Sequence, residues 1–599
     1  MVMDPTAAVF GHRNARSKTP IEVAQGFVAP PQFWEIAQPG NTVLVGPRGS
    51  GKTTLLKMLQ GPGLEHWQSP DAEKARELVT YTGIFVSADQ SWSGQVSAFG
   101  KQLDDRLRTS LGDACYTLHA LRALARTAAV RVKPGSSEHS HDRVEIERDL
   151  QERIVGETWR GWALREPVGS FAGLGEALSS LITEIGDLAR RAVRHPSALD
   201  ELSEHPVLDL ELVDAVVPFI ERFNNAAGEE DHVWAFLVDE IEFLPPGIHG
   251  TIISSMRGRD SRLIRKISLA PYNRVAAELS ANPLGGWEGH DLETVDLTFP
   301  EKEDGYGFSR QLIEKELEAL SLDLSPADLL GEGGFFESTP GRDAYVPKSE
   351  NAEAISRLSE KDPSFRDWLE RHEIDPKRPD RTVGTQRAAT LRKAMPIIYL
   401  RDEYLHRVGE RLQVRSRKAA RTYVGELSAF AICENNPRLL QTLVSRLLRS
   451  SQGGQPSDGG RVEVIAGIAE QFSLHLRAIE VPNSAPPEHL PMRLVKTIGR
   501  YFESGILSQE FSPEPALSFE ISAEQPPEDP VLIQVLSQLV FYGAIVSLGE
   551  NRFRLAHTFA PLFTLPLRKG RPIALNRILG RADRPTSQQV LIEEDQTGD

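Results

Sequence analysis

Residues 41–54 read NTVLVGPRGSGKTT, and residues 233–240 read VWAFLVDE. The first stretch opens as a β-branched apolar run, bounded by Pro39-Gly40 and Gly46, and passes into TTLLKMLQ. That pattern is a buried strand, a glycine-rich turn and a helix. Between strand and helix, Gly46-Pro47-Arg48-Gly49-Ser50-Gly51-Lys52-Thr53 meets in full the spacing of a phosphate-binding loop. The glycines let successive backbone N–H groups turn toward one point and cradle phosphate oxygens. The start of the next helix adds the positive end of its dipole. Lys52 is expected to reach the β- and γ-phosphates of a nucleoside triphosphate, and the Thr53 hydroxyl to hold Mg²⁺. Gly46, Pro47, Arg48, Gly49, Ser50, Gly51, Lys52, Thr53 and Thr54 form the predicted nucleotide-binding set.

The second stretch supplies the other half of such a site. Trp234, Ala235, Phe236, Leu237 and Val238 carry a buried strand up to Asp239 and Glu240. A strand ending there sets Asp239 beside the loop, where it is expected to hold Mg²⁺ through a water. Glu240, the adjacent acid, is the predicted general base for an attacking water. Glu242 is assigned a structural role, because alternation along the strand turns it elsewhere.

Three more apolar runs read as strands: LVTYTGIFVSA (78–88), KISLAPY (266–272) and LETVDLTF (292–299). Helical segments separate them, over 94–130 and most of 143–230, with GIHGTIISSMRG (247–258) as a further helix. Strands alternating with helices predict an α/β fold, a parallel sheet covered by helices on both faces. The predicted nucleotide-binding domain spans 41–300 with a helical insertion at about 94–230, after an N-terminal segment at 1–40. Within that segment, Thr19-Pro20 before IEVAQGF reads as a capped helix start.

Past residue 300 the strand signal fades. Residues 307–320 and 386–450 read as helices, so 301–450 is expected to form a helical lid, with 325–385 unassigned. SQGGQPSDGG (451–460) reads as a flexible linker. Beyond it, helices near 461–477, 491–504 and 529–542 precede GAIVSLG and NRFRLAH, with a turn at Gly549-Glu550-Asn551. Helices followed by a small hairpin predict a winged-helix-like domain over 461–584, with a disordered acidic tail at 585–599.

The chain has 599 residues, 40% of them hydrophobic and 25% charged, which is ordinary globular composition. Two cysteines, Cys115 and Cys433, exclude a disulfide framework and a cysteine-rich zinc module. Together with the lack of an N-terminal apolar core or a spanning stretch, they predict a cytoplasmic protein without membrane contact. The net charge of −16 excludes a simple polycation that coats nucleic acid. His139 and His141 in HSHD lack a third ligand and read as a solvated loop. Trp92 and Trp234 read as packing residues.

A phosphate loop followed by a DE strand resembles the AAA+ ATPases. GPRGSGKTTLLKML, FLVDEIEFL, NNPRLL and the winged-helix-like C-terminus together resemble their origin-recognition-complex, initiator-like type. The resemblance covers about 41–300, 401–450 and 461–585. It implies ATP and Mg²⁺ as cofactors, slow hydrolysis, an oligomer, and a role on DNA or a DNA-associated assembly. A bacterial defence or mobile-element setting is a family-level expectation. It also implies a polar sensor at the tip of the KISLAPYN strand, where Ser268, Tyr272 and Asn273 are offered and Asn273 or Tyr272 is favoured. Arg438, in Asn436-Pro437-Arg438, matches the lid arginine that reaches the γ-phosphate. An arginine finger from a neighbouring subunit has four candidates in this sequence: Arg257, Arg259, Arg262 and Arg274.

Two locally basic stretches stand out. RLQVRSRKAAR (411–421) is expected to be helical, and LRKGRPIALNRILGRADR (567–584) carries Arg568, Lys569, Arg571, Arg577, Arg581 and Arg584 beside Arg552 and Arg554 of the hairpin. They predict double-stranded DNA as a partner of the C-terminal region, through groove and phosphate contacts. The alternative is a regulatory scaffold that holds ATP and recruits an effector protein through the same domain. A small-molecule kinase, the third reading, fits neither the DE pair nor the helical lid.

Overall fold

The computed structural model describes residues 15–88, 103–133, 141–244, 248–249, 252, 256, 260–271, 292–299, 302–331, 345–381, 385–409, 411–415, 421–481, 486–521, 529–549 and 551–582. The chain divides into two compact units, His12–Leu297 and Thr298–Asp599.

The first unit is built on five strands: β1 (Thr42–Val45), β2 (Tyr81–Ser87), β3 (Val233–Asp239), β4 (Leu263–Leu269) and β5 (Glu293–Asp296). All pair in parallel, in the order β2-β3-β4-β1-β5. The strand before the phosphate loop and the strand ending in Asp239 are therefore not neighbours; β4 lies between them. Every expected strand exists, although β4 starts three residues before Lys266 and ends at Leu269.

Both faces of the sheet are covered, which is why its strands lack polar alternation. Trp234, Phe236 and Val238 enter one apolar core with Ile84, Val86, Ile267 and Leu269. Ala235 and Leu237, at alternate positions, enter the other with Leu44, Val295 and Leu297. The second core holds α1 (Pro20–Gln25) and α2 (Lys52–Met58). Thr19 caps α1 in a capping box with Glu22, as the Thr-Pro start predicts.

The first core is larger because an insertion packs there. Its helices are α3 (Asp105–Arg131), α4 (Arg148–Thr158), α5 (Phe171–Ala192) and α6 (Leu212–Ala227). The leucine spacing of α5 buries Leu174, Leu178, Leu181, Ile185 and Leu188 on one stripe. Trp234 is a packing residue: its ring meets Phe223 edge-on, and its indole N–H donates to Asn224 Oδ1. The described part of 247–258 is too short to test the expected helix there.

The second unit begins with α7 (Lys302–Ala319). The stretch that sequence left unassigned holds a short helix, Pro326–Leu330, then α8 (Glu350–Lys361) and α9 (Pro363–Arg371). Next come α10 (Thr385–Tyr404) and a hairpin of β6 (Leu405–Val408) and β7 (Arg411–Val414). This hairpin corrects two expectations, since 386–450 is not wholly helical and 411–421 does not open as a helix. Alternating Val408, Leu412 and Val414 around Gly409, whose φ is +63°, favour a hairpin over a helix.

α11 (Glu426–Ile432) and α12 (Pro437–Ser450) follow. α13 (Asp458–Arg477) starts inside the expected linker, capped by Ser457. α14 (Pro491–Ile506), β8 (Ala516–Glu520) and α15 (Pro530–Phe541) lead to the predicted hairpin, β9 (Ile545–Ser547) and β10 (Arg552–Leu555). β11 (Arg571–Ala574) and α16 (Leu575–Ala582) complete the unit. The sheet is four-stranded, β11-β8-β10-β9, rather than a lone hairpin. The segments on either side of the expected linker belong to one compact unit. The buried Arg401 guanidinium of α10 donates to Asp362 Oδ2 and to the carbonyls of Ile506 and Ser508. The single O–H of Tyr423 lies within hydrogen-bond reach of two carbonyls, those of Ala560 and Leu565.

Candidate nucleotide site

The loop after β1 takes the shape its glycines permit. Gly49 and Gly51 have φ of +88° and +96°, which other residues adopt only under strain. Gly51 is the N-cap of α2, so the loop runs directly into the helix. A Cβ at Gly46 would stand 2.4 Å from Ser50 Oγ and 3.0 Å from Leu297 Cβ, so the loop closes tightly on itself there. Lys52 is buried and folds back over the loop, its Nζ donating to the carbonyl of Gly46 at 2.6 Å and of Pro47 at 3.3 Å.

The loop and the acid of β3 meet. Thr53 Oγ1 donates to Asp239 Oδ2 at 2.6 Å, although 186 residues separate them. The other oxygen, Oδ1, accepts from Ser268 Oγ of β4 at 2.6 Å. Ser268 Oγ in turn accepts from the backbone N–H of Glu240 at 2.9 Å. One buried hydroxyl of β4 thus fastens the end of the acid strand, while the other Asp239 oxygen reaches Thr53 of α2. Ser268, the least favoured of the three sensor candidates, touches the acid. Tyr272 and Asn273 lie outside the described residues.

Glu240 has a left-handed backbone, φ +56° and ψ +54°. A non-glycine residue held there costs on the order of 1–3 kcal/mol. Its carboxylate pairs with the Arg16 guanidinium. Arg16 is positioned by a second device. Lys57 of α2 donates from Nζ to the carbonyls of Ala15, Arg16 and Lys18 at 2.8, 3.1 and 2.6 Å. Burial lowers the Lys57 pKa, against the pull of Asp239 and Glu22. Neither Arg16 nor Lys57 is legible as a site residue in the sequence, because neither lies in a motif.

Glu242 departs from its expected role. Both of its carboxylate oxygens are buried with no side-chain partner, and only the backbone N–H groups of Glu242 and Ala270 come near them. Burial raises its pKa to about 7, offset by the nearby Lys52 charge and raised further by Asp239. It is a third acid of this site, turned toward it by the tight Ile241–Phe243 turn after Glu240. Strand alternation fails to find it because β3 ends at Asp239.

Thr53 Oγ1 and the two carboxylate oxygens of Asp239 are hard oxygen donors, and the charges of Lys52 and Asp239 both reach Glu242. That chemistry fits Mg²⁺ with a phosphate. Ser50 Oγ is also buried without a partner beside the glycine cradle. Among the described residues no group of three or more His, Cys, Asp or Glu is placed to hold a metal ion by itself.

Comparison with known families matches residues 8–575 to the ORC-CDC6-like family. The chain belongs to that family. As an ORC-CDC6-like protein it is an AAA+ protein of the initiator type, a family that binds nucleotide and usually Mg²⁺. Among curated proteins, none matches the chain. Among the described residues no helix is long and apolar enough to cross a membrane.

The remaining predicted residues are placed as follows. Arg48 and Thr54 sit on the loop and first turn of α2. Arg262 is paired by Asp260 two residues before it. Arg257, Arg259 and Arg274 lie outside the described residues, as do His139 and Trp92. Arg438 is exposed in the first turn of α12, whose cap Asn436 accepts from the Arg438 and Leu439 N–H groups. Two basic residues expected to meet DNA are engaged inside the protein. Arg554 is buried and forms a double hydrogen bond with Glu434, both at 2.6 Å. Arg568 donates to the carbonyls of Lys393 and Pro513. Arg552, Lys569, Arg571 and Arg577 are exposed.

Proposed function

We propose that the protein binds and slowly hydrolyses ATP as a switch that acts on DNA or a DNA-associated assembly. The observation that supports this reading most is the Thr53–Asp239–Ser268 chain of short hydrogen bonds, which ties phosphate loop and acid strand into one pocket. In this reading Gly46 to Thr54 hold the triphosphate, with Lys52 moving from its own loop carbonyls to the β- and γ-oxygens. Thr53 and Asp239 hold Mg²⁺, which supplies charge neutralisation on the phosphate oxygens. Glu240 accepts the proton of a water whose oxygen attacks the γ-phosphorus. The bond to the bridging oxygen then breaks, giving ADP and phosphate. Arg16 must release Glu240 first, which is a physical reason for slow turnover. Arg438 and Asn273 are proposed to sense the γ-phosphate.

We also propose that α13, α14, β8, α15 and the β9–β10 hairpin form a winged-helix-like module. Turnover of purified full-length protein with Mg-ATP, with and without duplex DNA, tests the function. DNA-stimulated phosphate release that Glu240→Gln abolishes is expected. Lys52→Ala protein that binds ATP as wild type does would overturn the pocket.

One observation favours the scaffold alternative. α15, the helix before the hairpin, reads PVLIQVLSQLVF and carries no Lys or Arg, with Ile533 exposed. Such a helix suits an effector protein better than a groove of DNA. Turnover stimulated by a protein partner and indifferent to DNA would select this reading.

A further inference from the structure

The second unit carries a cationic face on an element that the sequence motifs do not mark. α14 is amphipathic at helical spacing. It buries Leu494, Val495, Ile498, Phe502 and Ile506 against the neighbouring helices and sheet. The opposite stripe carries Arg493, Lys496 and Arg500, all exposed. Spacings of three and four residues align these side chains. Seven residues of helix set the outer two about 10 Å apart along the axis.

Arg477, the last residue of α13, is exposed and adds its charge to the same place. Partial burial lowers the Lys496 pKa, and the charges of Arg477, Arg500 and Arg493 lower it further. All four cations are thus close enough to repel. None of them forms an ion pair or a hydrogen bond with the described residues. The nearest acid on the helix, Glu503, is mostly buried and accepts from Thr564 Oγ1 at 3.2 Å. The Arg500 charge reaches the Glu503 carboxyl and pulls its pKa down against burial, whereas no described acid offsets the crowding of cations around Lys496.

We propose that Arg477, Arg493, Lys496 and Arg500 track the phosphate backbone of double-stranded DNA. The inference rests on the DNA reading of the second unit and moves the contact from the expected hairpin arginine and helix to α14. Charge complementarity carries it. A duplex presents one negative charge per about 1.7 Å of axis, so a 10 Å cationic stripe meets several phosphates at once. None of the large exposed apolar side chains lies on α14, and Leu474 of α13, one turn before Arg477, is a single exposed leucine rather than the apolar centre of a protein interface or an inserted membrane helix.

The test uses full-length protein with Mg-ATP and a fluorescent duplex of about 30 base pairs, long enough to cover several helical turns. Binding is measured between about 50 and 200 mM salt, where each phosphate contact contributes about −0.9 to the log–log slope. Replacing Arg493, Lys496 and Arg500 together by Gln is expected to make the slope shallower by about 2 to 3 and to weaken binding at least about tenfold for every sequence. Melting temperature and ATP binding stay at wild-type values, because the side chains are exposed. Arg552→Gln serves as the comparison and shifts the slope by no more than about 1. A triple variant that binds with the wild-type slope overturns the proposal and leaves the DNA reading standing. Wild-type protein that fails to bind the duplex even at low salt sinks the DNA reading itself. Vesicles of phosphatidylserine and phosphatidylcholine bound in preference to the duplex, through the same residues, assign the face to a membrane instead.

Discussion

Two buried charged clusters, one in each unit, meet opposite fates. In the second unit Arg401 and Asp362 are both fully buried. Both carboxylate oxygens and every guanidinium nitrogen are engaged there: Asp362 Oδ2 accepts twice from Arg401, Oδ1 accepts from Ser364 Oγ and the Phe365 N–H, and Arg401 also reaches two carbonyls. In the first unit, Lys52 leans on its own loop, Glu242 has no side-chain partner, and Ser50 Oγ is buried without a partner. Buried polar groups are ordinarily satisfied, and the exceptions call for a reason. The satisfied cluster fastens the protein to itself. The unsatisfied one is shaped for something that arrives.

Glu240→Gln tests the second half of that contrast with the largest expected effect. It removes a base while keeping shape, and should cut phosphate release by about 10²–10⁴-fold with ATP affinity retained. An unchanged rate would assign the proton to another group. Arg401→Ala strikes the satisfied cluster. Leaving Asp362 buried and unpaired is expected to destabilise the second unit by about 3–5 kcal/mol, read by urea denaturation, without changing ATP affinity.

Glu242→Gln sharpens the comparison through pH. A carboxyl raised from 4.5 to about 7 binds its proton more tightly folded than unfolded. Its contribution is therefore full below about pH 4.5 and falls as pH rises to about 7. In nucleotide-free protein the variant should gain stability over wild type on going from pH 5 to pH 8, by on the order of 3 kcal/mol. A gap that does not change with pH would show the carboxylate to be compensated. Arg16→Ala is the mildest change. The pair is partly exposed, so stability should move by less than about 1 kcal/mol. Turnover should rise several-fold as Glu240 is released, and a fall would make Arg16 a helper rather than a restraint.

Much of the first unit was legible because its signals are local. A β-branched run must be buried, GPRGSGKT must turn, and LVDE must end a strand at an acid. What escaped depends on contacts between distant residues. Ser268 is one serine among many until β4 is seen between β1 and β3. Arg16 matters only because Lys57 gathers the carbonyls around it. Glu242 escaped for a different reason, since the two-residue alternation used to dismiss it stops where the strand stops. In the second unit, a count of positive charge was misleading without burial. Arg554 and Arg568 face inward, whereas Arg493, Lys496 and Arg500 are spaced too sparsely to register as a basic run. The strand Arg411–Val414 was hidden by the high helix propensity of arginine, which pairing with Leu405–Val408 overrides.

The interposed fourth strand has a quieter consequence. Two interstrand spacings, about 9.5 Å in all, separate the backbone that carries the glycines from the backbone that carries Asp239. Main-chain pairing sets that width as a spacer sets the jaws of a clamp, and no side-chain replacement can widen it. Tuning of this pocket must therefore work through side-chain reach, so Asp239→Glu, longer by one methylene, would crowd the same gap that aspartate leaves open.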